Sequence, residues 1–148
     1  MHPYPSTASC LASGDTGSPP QPALSLTLPG DPRSASVARA AVAAALRVHG
    51  LTGYLWPAVS VAAEMVAVAS TFTPGRDLYL SLRHRDERLR LLVWDQHPEH
   101  SGHPGCDPLR RRALWLVAVV VGDWGGEWGV RSARPGQPGV KSWAVLPR

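Results

Sequence analysis

The chain has 148 residues, 44% of them hydrophobic and 18% charged, with a net charge of +4 and a pI of about 9.7. That is one-domain length, too apolar for full disorder and large enough to bury a core without staples. The longest apolar run, residues 113–121, falls far short of the roughly 20 residues that span a bilayer, so no membrane segment is expected.

Residues 1–22 are rich in Ser, Pro and Gly and lack apolar periodicity, so they read as a disordered tail. The N-terminus has no basic segment followed by an apolar one, so no secretory signal is expected. Of the two cysteines, Cys10 falls in this tail and Cys106 in a loop. That pattern suits a reducing cytoplasm better than a disulfide framework.

The first ordered element is a strand over 24–28, where leucines alternate with Ser and Thr before Pro29-Gly30 ends it. Residues 31–49 follow with apolar positions at helical spacing. Asp31 is the expected N-cap, Pro32 the first helical residue and Gly50 the stop. A second helix is expected over 57–70, its buried stripe made of Val59, Ala62, Ala63, Val66 and Ala69. After the break at Thr73-Pro74-Gly75, residues 78–83 alternate as a strand, 84–88 form a hairpin turn, and 89–94 form a second strand with Asp95 just past its end. Residues 96–108 form a loop rich in His, Pro and Gly, and a third helix over 109–121 stops at Gly122. Strands over 127–131 and 140–146, separated by a Pro/Gly turn at 134–139, close the chain. The order β-α-α-β-β-α-β-β predicts an α+β two-layer sandwich: one mostly antiparallel sheet with about three helices on one face, spanning 23–148.

Fourteen of the fifteen basic residues are Arg, and Lys141 is the lone lysine. With so much Ala, Gly, Pro and Val, this is the usage of a GC-rich bacterial genome. Arg83, Arg85, Arg88 and Arg90 on the hairpin, and the run Arg110 to Arg112, read as solvated faces, and nucleic acid is not an expected partner.

Two carboxylates stand out. Glu64 is the only charged residue between Tyr54 and Arg76 and sits mid-helix among apolar neighbours. A carboxylate so placed either faces solvent or faces a ligand and polarises a water or hydroxyl. Asp95 ends an apolar strand and opens a Pro-containing loop. It either caps its own backbone or serves as a buried acceptor for an amine. His97, His100, His103 and Cys106 recur at every third position, yet they lack the frame of a zinc site, and no metal is expected there. No phosphate-binding Gly-rich loop ending in Lys-Ser/Thr and no nucleophile elbow occur.

Taken as an ordered set, these pieces resemble the ATPase domain shared by gyrase, histidine kinases and anti-sigma-factor serine kinases. The likeness is strongest to small single-domain anti-sigma-factor-like ATP-binding proteins of actinobacteria. It is carried by Leu28-Pro29-Gly30-Asp31-Pro32-Arg33-Ser34 before an Ala/Arg helix, by Ala63-Glu64-Met65-Val66, by Val93-Trp94-Asp95, by Trp124-Gly125, and by the ending Lys141 to Pro147. The resemblance implies ATP as ligand, Glu64 as the activating base and Asp95 as the acceptor of the adenine amine. It also implies a cytoplasmic setting and a protein partner, either a sigma factor or an anti-anti-sigma-type antagonist.

The departures from the family pattern bear on activity. Where the family has an Asn that holds Mg²⁺, four residues after the Glu, this chain has Val68, which cannot ligate a metal. The glycine expected two residues after the Asp is His97. The Gly-x-Gly that closes over the phosphates is replaced by Arg111, Arg112 and Ala113. Phosphoryl transfer depends on positioning and charge neutralisation, so weak or absent transfer is expected. A single hydrogen bond from Asp95, worth roughly 1.5–3 kcal/mol, could still favour adenine. The alternative is a non-catalytic protein-interaction module that has lost nucleotide binding.

Overall fold

The computed structural model describes residues 23–98, 105–133 and 138–148. The expected tail with Cys10, the histidines His100 and His103, and most of the 134–139 turn lie outside the described residues.

Five strands form one sheet: β1 (Ala23–Leu28), β2 (Leu78–Arg85), β3 (Arg88–Asp95), β4 (Glu127–Ser132) and β5 (Val140–Pro147). Their order is β1-β2-β3-β5-β4 and every pairing is antiparallel. The helices are α1 (Ser34–Val48), α2 (Leu55–Phe72), α3 (Cys106–Ala113) and α4 (Trp115–Trp124), with a single 3₁₀ turn, Thr52–Tyr54, leading into α2. This is the expected α+β two-layer sandwich.

Alternation in the strands decides which face is covered. Leu78, Leu80 and Leu82 of β2, Leu89, Leu91 and Val93 of β3, and Ala144 and Leu146 of β5 are buried against the helices. The residues between them point to the opposite, open face. The strand β2 runs to Arg85 and β3 starts at Arg88. The hairpin turn is therefore only Asp86-Glu87, tighter than the expected 84–88. Both residues have positive φ, 51° and 58°, the geometry whose twist matches that of the flanking strands.

Several helix boundaries differ from expectation for identifiable reasons. Asp31 does not cap α1. Its carboxylate accepts instead from the backbone and side chain of Arg33, which is itself the residue before the helix. The Arg33 guanidinium holds the Asp31 carboxyl down at about 2. The helix α1 does end at the expected place, with His49 as its cap and Gly50 beyond it at positive φ. The helix α2 is buried far more widely than the predicted stripe: Pro57, Ala58, Val61, Met65 and Val68 are covered as well, whereas Val59 is only half-buried. The sheet, α1 and α4 all pack on it, so no single stripe suffices. By length and composition α2 could pass for a membrane span; here it is the central helix of the domain.

The expected third helix is two helices, broken at Leu114. Gly122 does not stop the second. The chain continues to Trp124 and turns at Gly125, which is left-handed at φ 81°. There the Trp124 indole donates to the Pro147 carbonyl at 2.6 Å and packs against Tyr54 and Trp56. This contact pins the end of α4 to the end of β5.

Candidate functional site

The inward register of β3 continues past Leu89, Leu91 and Val93 to its last residue, Asp95. Asp95 is therefore not beyond the strand but its final inward position, with 0% exposure. A carboxylate brought there leaves water and must be paired.

Its partner is Arg110 of α3, which is 2% exposed. Arg110 Nη1 donates to Asp95 Oδ2 at 2.5 Å, and Nη2 donates to Oδ1 at 3.3 Å. The His97 backbone N–H donates to the same Oδ1 at 3.0 Å. Three donors thus occupy the carboxylate. The guanidinium carbon also lies 4.3 Å from the centre of the Phe72 ring, a cation–π contact from below the pair. The His97 ring stands edge-on to Phe72, with centroids 5.6 Å apart, and its Nδ1 is 3.2 Å from the Phe72 carbonyl oxygen.

Phe72 belongs to a line of residues on α2. Glu64, Val68 and Phe72 are spaced four apart and so share one side of the helix. Val68 is buried and Glu64 half-buried. The Glu64 carboxylate makes no hydrogen bond or ion pair among the described residues. It lies two turns from Phe72, about 12 Å along the axis. Glu64 belongs to the helix layer and Asp95 to the sheet, and no hydrogen bond or ion pair joins them among the described residues.

The remaining expected positions are spread over α3. Arg111 is tied down locally: its Nε donates to Asp107 at 2.9 Å and its Nη2 to the Val130 carbonyl at 2.8 Å, bracing α3 against β4. Arg112 is exposed, and Ala113 is half-buried at the helix end. Cys106 opens the helix as a free thiol.

Arg110 is the site residue missed by sequence reasoning, which placed it with Arg111 and Arg112 on a solvated face. Two signals were available. Arg110 is one turn before the buried Leu114, and a strand-end Asp on the inward register calls for a cation.

No family model matches the chain, and neither does any curated protein. Among solved structures, the mycobacterial sensor histidine kinase MprB is similar, with a TM-score of 0.50 and 22% identity. The match covers 63% of this chain and 73% of that one. A likeness at this level shows the fold: an α+β sandwich of the histidine-kinase-type ATPase kind.

Proposed function

We propose that this chain is a regulatory domain of the anti-sigma-factor ATPase type that has given up phosphoryl transfer and acts by binding a protein partner. The observation that carries this is the Arg110–Asp95 pair. The group that the resemblance assigns to the adenine amine is already engaged by an internal guanidinium and by the His97 N–H.

Magnitudes favour the closed arrangement. An adenine amine would offer Asp95 one hydrogen bond to a charged acceptor, worth about 1.5–3 kcal/mol. Arg110 supplies two such bonds and, on the half-buried Phe72 ring, roughly 1–2 kcal/mol of cation–π attraction. Removing the guanidinium from a buried carboxylate costs about 3–5 kcal/mol. A cost of about 3 kcal/mol weakens apparent affinity by more than ~100-fold, so a micromolar site behaves as one near ~0.1–1 mM. Val68 in place of a metal ligand, and Arg111 engaged by Asp107 and Val130, remove the means to hold Mg²⁺ and phosphates. The resemblance supplies the class of partner, a sigma factor or its antagonist.

Isothermal titration of ATP and ADP, with and without Mg²⁺, tests the nucleotide part. The expected result is no saturable heat below about 0.1 mM nucleotide. Micromolar binding by the wild-type chain would mean that Arg110 yields readily, and would restore a nucleotide-dependent regulator. The partner part is tested by surface plasmon resonance against purified sigma factors and antagonist proteins without nucleotide. Binding is expected there; if it appears only with ATP present, the non-catalytic reading fails.

A further inference from the structure

The opposite face of the sheet carries a second site that owes nothing to Glu64 or Asp95. A groove of about 860 Å³ runs over its open side, lined by Arg83, Arg85, Arg88, Arg90, Arg131 and Trp143, among others. The register makes this a patterned surface. Arg83 on β2 faces Arg90 on β3, and Arg85 faces Arg88. Trp143 of β5 lies between Leu92 and Gly129, and Lys141 adjoins Arg131. Among the described residues six cations thus share one face with two acids, Asp86 and Glu127.

An open antiparallel sheet commonly carries charge, but normally of both signs and in pairs. Here Arg85 reaches Asp86 only at 3.7 Å. Among the described residues Arg88, Arg90, Arg131 and Lys141 make no ion pair. Arg83 donates to the Leu24 and Leu82 carbonyls and to Ser25, which holds it along the β1 edge rather than against a carboxylate.

The second observation concerns shape. A Cβ on Gly129 would stand 2.8 Å from Trp143 Cζ2 and 2.9 Å from Cε2. The indole therefore lies against the bare β4 backbone, a place only glycine leaves open. Its remaining face is turned to the arginine-lined groove. One strand over and diagonal to it is Trp94, also half-buried on this face.

We propose that this face binds single-stranded nucleic acid, with arginines along the phosphates and a base stacked on Trp143. A positive groove with flat aromatic floor space is how such strands are held without sequence readout. A second copy of this chain would bring like charge and is disfavoured. An acidic peptide would satisfy the arginines but has no ring for the indole, so it is an outcome the test must exclude.

The test uses the full chain and a fluorescein-labelled oligothymidine of roughly 12 nucleotides, within the usual range of site sizes. Anisotropy should report binding at about 50 mM salt, accompanied by quenching of tryptophan emission. Affinity should fall with log salt at a slope of about −0.7 per phosphate neutralised. The exposed variants Arg90→Gln and Arg131→Gln should each reduce that slope by about 0.7 without changing the melting temperature. Trp143→Leu should weaken the oligonucleotide by about 5- to 150-fold. A duplex of equal length should bind more weakly, and polyglutamate should compete poorly. The proposal is overturned if no oligonucleotide binds, if the arginine variants leave the salt slope unchanged, or if the duplex binds as well as the single strand. It is also overturned if polyglutamate competes equally, since the face would then read charge alone.

Discussion

Arg110 and Asp95 stabilise one another only as a pair, and substitutions should reveal this. Asp95→Leu leaves a guanidinium 2% exposed with no carboxylate, and Arg110→Met leaves a buried carboxylate bonded only to the His97 N–H. Each single change should cost about 3–5 kcal/mol. The double variant Asp95→Leu/Arg110→Met removes both charges and should recover much of that loss, within ~1–2 kcal/mol of wild type. A urea denaturation cycle on the four proteins measures the coupling; additive losses would mean that the pair contributes nothing as a pair. Tyr54 makes a different prediction. Burial raises its phenol above the ordinary value of 10, and the neutral O–H donates to the Glu87 carbonyl at 3.0 Å. A raised folded pKa means the contribution is whole below pH 10 and is lost as pH climbs through the folded value. The melting temperature of the wild type should therefore drop above pH 10 more steeply than that of Tyr54→Phe. The variant should also be about 0.5–1.5 kcal/mol less stable at neutral pH for want of the hydrogen bond.

At the scale of elements, strands were more legible than helices. In β2 and β3 the alternation of Leu with polar residues settles both the element and its buried face, because a strand has only two faces. The helix α2 is covered on three sides, so its buried set outgrew any stripe read from spacing. The break at Leu114 was invisible because the apolar run continues through it while the packing direction changes from α3 to α4. The same limit hid Arg110. A charged residue is assigned outward by pattern, and only the inward Asp95 reverses that. Glu64 and Val68 were legible as positions on one helical line, yet nothing local could tell that Asp95 would be satisfied from α3. The two-residue hairpin carries a testable cost. Glu87 sits at φ 58°, where a side chain is strained by roughly 1–2 kcal/mol. Its ion pair with Arg148 is exposed on both sides and worth little. Glu87→Gly should therefore stabilise the protein by about 0.5–1 kcal/mol, raising the melting temperature by a few degrees in calorimetry. A fall would show that the Arg148 contact outweighs the backbone strain.

On the scale of the whole molecule, the sheet separates two surfaces, and ligands for each should act on stability independently. Under the proposed closure of the helix-side site by Arg110, nucleotide adds little: at 1 mM ligand and a dissociation constant of ~1 mM, the gain is about 0.4 kcal/mol, or ~1–2 °C. An open site with a constant of ~10 µM would gain about 2.7 kcal/mol, or ~10 °C. Thermal melts with 1 mM ATP therefore separate a closed anchor from an open one. The expected shift is the small one, with or without Mg²⁺, since Val68 offers no ligand to the metal. The open face has no such plug, and its cations Arg90, Arg131 and Lys141 meet solvent without ion-pair partners among the described residues. Oligothymidine should shift the melt in proportion to its affinity, and that shift should vanish at high salt. Because the inward side chains of β3 fix the core while Arg90 and Trp94 alternate outward from the same strand, the two shifts should add when both ligands are present. A combined shift that departs from the sum would instead identify β3 as a link through which the two faces communicate.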